Sequence, residues 1–231
     1  MRLLILSDIH SNLSALKLID DEEYDYLICL GDLVDYGPFP KEVIDIIRSR
    51  AYKSVRGNHD NALGYGQDCG CSYRFKHLSI ATREYQKPLL NKEDIDYLRG
   101  LPLRENFELM GYRFFIAHAS PKGDLFTYLR PDTDDEIWKR EIEGIDADFI
   151  FVGHTHVPLI KYIDGKKIVN PGSLGQPRDK SARSSYAIWE DGEVYLRRRA
   201  YNIDSTIEAL ESTELSEEVV SELSSILVRA Y

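Results

Sequence analysis

Seven residues of this chain are equipped to hold a cation: Asp8, His10, Asp32, Asn58, His118, His154 and His156. Each sits just after a short apolar run, at Asp8-Ile9-His10, Gly31-Asp32-Leu33-Val34-Asp35, Gly57-Asn58-His59-Asp60, Ala117-His118-Ala119 and Gly153-His154-Thr155-His156. Five of the six histidines fall in these stretches, so the clustering is not a matter of composition. Asp8 and His10 are two apart, as are His154 and His156. On an extended chain such residues point the same way and can reach one ion. The set offers two carboxylates, one amide oxygen and four imidazoles, and no cysteine, which excludes a structural sulfur-rich zinc site. Seven donors exceed what one catalytic ion with an open position needs. They suit two divalent ions ~4 Å apart sharing a carboxylate. A mixed nitrogen and oxygen set accepts manganese, expected first, or iron, zinc, nickel or cobalt.

The elements that position these residues follow from the apolar pattern. Leu3 to Leu6, Tyr26 to Leu30 and Tyr52 to Val55 read as strands, with helices predicted over Asn12 to Glu22 and Pro40 to Arg50. Strand, helix, strand, helix, strand indicates a parallel sheet, and right-handed crossovers bring the three following loops to one edge. Ligands bind at that edge. Asn61 to Cys71 reads as loop; Tyr73 to Gln86 reads as a helix, and Asn91 caps another that ends near Gly100. The segment 61–103 is thus a loop-helix insert placed to act as a partial lid. A hairpin around Gly111 delivers His118, and a strand over Phe149 to Val152 delivers His154 and His156. A helix is expected over Asp132 to Ile142, its first acids matched to the helix dipole. Hairpins follow at Leu159–Val169 and Tyr186–Arg198, and Asn170-Pro171-Gly172-Ser173 lies between them as a turn. Residues 203–231 form a helical tail whose stripe of Leu215, Val219, Leu223, Ile226 and Leu227 serves as core or as a homo-oligomer contact.

At 231 residues one domain is expected over 1–231. The net charge of −10 disfavours stable binding to nucleic acid or an anionic membrane. No run approaches a spanning helix, and the short apolar start is no signal peptide, so a cytoplasmic location is expected. Three cysteines make no disulfide framework, and Cys69 and Cys71 read as ordinary loop cysteines, with a metal or redox pair as the alternative.

The pattern of Asp8-x-His10, Gly31-Asp32-x-x-Asp35, Gly57-Asn58-His59-Asp60, His118 and Gly153-His154-x-His156 resembles the calcineurin-like metallophosphoesterase superfamily. The resemblance implies an α/β fold of two stacked mixed β-sheets flanked by helices. It implies a first metal on Asp8, His10 and His156, a second on Asn58, His118 and His154, and Asp32 bridging them. It also implies that His59 faces the substrate as general acid, oriented by Asp35 or Asp60, while a metal-bridging hydroxide attacks phosphorus.

One departure narrows the class. Protein Ser/Thr phosphatases and dinucleoside polyphosphate phosphatases carry an arginine after the second Asp of Gly-Asp-x-x-Asp, where this chain has Tyr36. Together with the Asn170-Pro171-Gly172-Ser173 turn, this resembles small bacterial and archaeal phosphodiesterases. The expectation is a phosphodiesterase acting on a small phosphate ester, with nucleotides among the candidates and a phosphomonoesterase, protein phosphatase or dinucleoside polyphosphate phosphatase as the alternative. A silent scaffold on the same fold is the alternative of another class. Arg178 is expected to form a surface ion pair with Asp179, with a phosphate contact as the alternative; His77 is expected to be a surface or packing residue, and Tyr65, Tyr73 and Phe75 packing residues, with stacking on a nucleobase as the alternative.

Overall fold

The computed structural model describes all of residues 1–231. One sheet is built from β1 (Arg2–Leu6), β2 (Tyr26–Cys29), β3 (Ala51–Ser54), β9 (Ser184–Glu190) and β10 (Glu193–Arg199), in the order β10-β9-β1-β2-β3. β1, β2 and β3 run parallel, and the β9–β10 hairpin joins antiparallel to β1. The second sheet holds β4 (Arg104–Leu109), β5 (Tyr112–Ala117), β6 (Phe149–Phe151), β7 (Leu159–Ile163) and β8 (Lys166–Asn170), in the order β4-β5-β6-β8-β7. Its central strands β5, β6 and β8 are parallel.

The inner strands β1, β2, β5 and β6 are covered on both faces, which is why they read as apolar runs rather than as alternating patterns. Leu3 and Ile5 of β1, Ile28 of β2, Phe114 and Ile116 of β5, and Trp189 of β9 meet between the sheets. Leu4, Leu6, Leu27 and Cys29 point the other way, onto Val43, Ile44 and Ile47 of α2 (Pro40–Arg50). On the outer face of the second sheet, Phe115, Ala117 and Ile150 pack on Trp138 and Ile142 of α6 (Asp135–Ile142). The result is the helix, sheet, sheet, helix sandwich that was expected. Burying each large apolar side chain contributes about 1.5–3 kcal/mol. No helix is long and apolar enough to cross a membrane.

The structure departs from the expected elements in two places. The first predicted helix is a single α turn, α1 (Leu13–Leu16), continuing as a 3₁₀ segment over Lys17–Asp21. Leu13, Leu16 and Ile19 recur every three residues, a spacing that matches three residues per turn. The expected loop from Asn61 is helical instead: α3 spans Asn58–Tyr65. It is buried from Asn58 to Gly64, so it carries no one-sided apolar stripe to betray it. Its ends were nevertheless marked. The Asp60 carboxylate accepts the Gly57 amide N–H, and Gly66 closes the helix in the left-handed region at φ +68°.

The rest of the insert is α4 (Tyr73–Gln86) and α5 (Lys92–Gly100), and the tail is α7 (Ile203–Glu211) and α8 (Glu217–Arg229). Leu223, Ile226 and Leu227 of α8 pack with Leu210 of α7 on Phe75, Leu78 and Tyr36. The tail's apolar stripe therefore supports α4 and the loop after β2 from behind.

Candidate active site

The seven donors converge where the loops after β1, β2, β3, β5 and β6 meet, and every one is at most 3% exposed. The reason for convergence is not the extended chain expected from the two-residue spacings. Asp8, His10, Asp32, His154 and His156 all lie at φ between 47° and 66°. Ser11, Asp35 and Tyr36 share this left-handed region, so eight of the thirteen non-glycine residues with positive φ belong to the site loops. Such backbone costs on the order of 1–3 kcal/mol per residue and persists only where surroundings enforce it.

The hydrogen bonds decide what the donors offer. His10 Nδ1 donates to Val34 O at 2.9 Å, His118 Nδ1 to Leu30 O at 2.7 Å and His156 Nδ1 to Gln176 O at 2.5 Å. A ring nitrogen against a carbonyl must carry a proton, so in the neutral ring each Nε2 presents a lone pair. His10 Nε2 and His156 Nε2 then face each other at 3.2 Å. His118 Nε2 lies 3.0 Å from Asn58 Oδ1 and 3.2 Å from Asp32 Oδ2. His154 Nδ1 lies 3.0 Å from the same Asn58 oxygen. Asn58 Nδ2 donates to Cys69 O at 2.8 Å, which turns that oxygen inward. Asp8 Oδ1 and His154 Nε2 are buried without any hydrogen-bond partner.

Acceptors facing acceptors need positive charge between them, supplied by protons or by metal ions. Protons suit only part of the site. Burial pushes His154 down to about 3 and holds His10 and His156 below the usual histidine value. His118 alone resists its burial, because the Asp32 carboxylate raises it to about 9. Metal ions fit the whole set. The ligand atoms of Asp8, His10, Asp32 and His156 lie within 4.8 Å of one another, as do those of Asp32, His118 and His154. Asp32 belongs to both groups, the arrangement a shared bridging carboxylate requires.

His59 lies beside this cluster, 3% exposed, as the second residue of α3. Its Nδ1 is 2.7 Å from Asp35 Oδ2, and the same oxygen accepts from Arg83 of α4. Gln86 accepts the Asp35 amide at 2.8 Å and Thr82 the Tyr36 amide at 3.0 Å, so α4 grips this loop through three side chains. Asp60, the other candidate for orienting His59, makes no contact with it. Its carboxylate accepts the amides of Asp32, Leu33 and Gly57 at 2.8–2.9 Å, and burial beside Asp32 raises it to about 6. Asp60 belongs to the scaffold that holds the Asp32 loop.

A model of the calcineurin-like phosphoesterase superfamily domain matches residues 1–191, and this span contains every residue of the cluster. The chain belongs to the calcineurin-like phosphoesterase superfamily. Over 235 residues it is 33% identical to an uncharacterized protein of Methanocaldococcus jannaschii, covering 92% of this chain and 93% of that one. The crystal structure of a metallophosphoesterase from Sphaerobacter thermophilus superposes with a TM-score of 0.81 at 33% identity, covering 96% of this chain and 98% of that one. The phosphodiesterase YfcE of Escherichia coli is 25% identical over 193 residues, 77% of this chain and 82% of that one.

Several residues of this candidate site were given no role in positioning the donors by the sequence. Asn170 Nδ2 donates to Gly153 O at 2.6 Å and to Thr155 Oγ1 at 3.0 Å, and Ser173 Oγ donates to Asp8 O at 2.7 Å. The turn after β8 thus clamps both two-residue donor pairs. Arg83, Gln86 and Thr82 carried no signal at all, because helical polar residues default to solvent. Tyr128 stacks on His154 with ring centroids 4.1 Å apart.

Arg178 overturns its expected role. Asp179 pairs with Arg198 instead. The Arg178 guanidinium stacks on Phe75 at 3.9 Å, lies 5.7 Å over Tyr36 and donates to Gln176 Oε1 at 2.6 Å. It has no carboxylate partner, its Nε is buried and unpaired, and its charge helps depress His156. Phe75, 8% exposed, is the platform for this cation, whereas Tyr73 is 95% exposed and Tyr65 sits against Arg56 and Arg99. His77 pairs with Glu222 at the surface, 3.1 Å away.

Proposed function

We propose that this chain is a phosphodiesterase working with two divalent metal ions, and that its substrate is a small phosphate diester. The observation that carries the reading is the pair of imidazole lone pairs of His10 and His156, facing each other at 3.2 Å with both Nδ1 protons committed to backbone carbonyls. Asp8, His10, His156 and Asp32 would hold one ion; Asp32, Asn58, His118 and His154 would hold the other. When bound, the ions would make water acidic enough to attack at neutral pH and would offset charge on the phosphoryl oxygens.

The chain's own groups do the remaining work. Asp35 accepts the Nδ1 proton of His59 and fixes the ring, which leaves Nε2 as the atom that would protonate the leaving oxygen. Arg83 keeps Asp35 in place. Arg178 supplies a cation without a carboxylate partner beside His156, in a chain with Tyr36 where related phosphatases carry arginine. An unpaired guanidinium suits a phosphate oxygen. The relation to a named phosphodiesterase supports the diester preference.

The test is hydrolysis of bis(p-nitrophenyl) phosphate beside p-nitrophenyl phosphate, after metal depletion and stepwise return of manganese. The expected outcome is no activity in the depleted protein, recovery at two ions per chain and a higher kcat/KM for the diester. Full activity without metal would reject the reading, and a clear preference for the monoester would reject its substrate class.

A further inference from the structure

Behind the Asn58–His59 turn lies a sulfur pair that the proposed reaction does not use. Cys69 and Cys71, 1% and 8% exposed, are joined by a disulfide between α3 and α4. Ser79 Oγ of α4 lies 3.4 Å from one sulfur and 3.3 Å from the other. The two sulfurs and a ring nitrogen of His59 all lie within 4.8 Å of one another. His59 Nδ1 is engaged by Asp35 at 2.7 Å, while Nε2 has only a long contact of 3.5 Å with the Tyr36 hydroxyl and is the more loosely held nitrogen. The Cys69 carbonyl holds the Asn58 amide, so the pair touches both residues of the turn. Two sulfurs and one imidazole are a donor set for a thiophilic d¹⁰ cation such as zinc, and a poor one for manganese.

We propose that reduction of the Cys69–Cys71 disulfide opens a third metal site, made of both sulfurs and His59, in which a zinc-class cation shuts off proton delivery. In the reduction a dithiol gives two electrons and two protons to the two sulfurs and becomes a disulfide itself. The cation then displaces both thiol protons and the Nε2 proton of His59 to solvent, and binds the two thiolates and the freed ring nitrogen. Sulfur-ligated zinc-class ions thereby inhibit while manganese in the main cluster does not. The inhibitory half of the proposal rests on His59 acting as the acid; the site does not.

Cadmium is the probe, because thiolate ligation gives it an ultraviolet charge-transfer band. The full-length, manganese-loaded protein is reduced with a water-soluble phosphine, which takes oxygen from water while the water protons go to the sulfurs. Excess phosphine is removed and cadmium titrated. The expected result is the band at one thiolate-bound cadmium per chain in the reduced protein and none in the oxidised protein or in Cys69→Ser/Cys71→Ser. If the double variant is unstable, Cys71→Ser alone is expected to show a much weaker band. The remaining thiol, Cys29, is fully buried and pushed up to about 12 by burial, so it contributes no background. At saturating cadmium, turnover of a diester with a poor leaving group is expected to fall about 10²-fold relative to that of bis(p-nitrophenyl) phosphate. A reduced protein without the band, or the same band in the double variant, overturns the site. The band with an unchanged turnover ratio overturns the role of His59 and leaves the sulfur site standing.

Discussion

His59 and Arg178 are two groups through which the proposed chemistry can be tested without disturbing the metal donors. His59 makes no bond in the donor cluster through its side chain; its ring is held by Asp35. His59→Ala is therefore expected to keep both metals by elemental analysis while kcat falls about 10²–10⁴-fold for a diester with a poor leaving group. The loss with p-nitrophenolate should be much smaller, because that group leaves without a proton. Arg178→Ala is expected to lower kcat/KM about tenfold to a hundredfold, the scale of one hydrogen bond to a charged group, with metal content unchanged. Arg178→Lys should recover only part of the loss, since an ammonium stacks poorly on Phe75 and offers no fork. Equal activity of all three proteins would remove the phosphate from Arg178.

At the scale of elements, the site depends on loops pressed closer together than side chains allow. Gly57 lies at φ −87°, an ordinary backbone, so its role is not the left-handed turn that a glycine after a strand suggests. A Cβ there would stand 2.0 Å from Asp32 Oδ1 and 2.4 Å from Asp32 N. Gly153 is tight in the same way, its Cβ position 1.9 Å from Ser7 Oγ. Gly57→Ala is expected to displace the carboxylate shared by both donor groups, cutting metal content below half while circular dichroism stays native. α4 and α8 matter for a related reason. They hold Asp35 and Tyr36 at φ 65° and 61° through Arg83, Gln86 and Thr82, with Leu223 and Leu227 packed behind.

The molecule as a whole carries a charge of −10, and its seven buried donors gather into candidate sites for positive ions. Metal uptake there must displace the proton that Asp32 keeps on His118, which is raised to about 9. The sign follows: below pH 9 the metal-free site is protonated at His118, so lowering the pH weakens binding. Apparent manganese affinity is expected to rise about tenfold per pH unit for each proton released, measured by titration at pH 6, 7 and 8. A pH-independent affinity would show that His118 is not a ligand. Because only the folded chain presents the site, metal at 100 times its Kd should add about 2.7 kcal/mol of stability, visible as a raised Tm.

The layered sheets followed from the resemblance, whereas the parallel run of β1, β2 and β3 and the seven donors at strand ends were readable from the chain alone. Their signals are local: an apolar run ended by a chemically distinctive loop, repeated five times. Resemblance then added the division of the donors and the role of His59. Between Asp35 and Asp60 the sequence could not choose, since both are acidic and they stand in the loops that follow two successive strands. Tertiary structure decided it by direction, turning Asp35 to the imidazole and Asp60 to three backbone amides. It likewise decided that α3 is a helix, that Arg178 faces the site and that Cys69 and Cys71 lie against His59. These outcomes come from contacts between segments far apart in sequence, such as Arg178 with Phe75. A one-dimensional pattern carries no record of them, because the same residue types at the same spacing suit a solvated surface equally well.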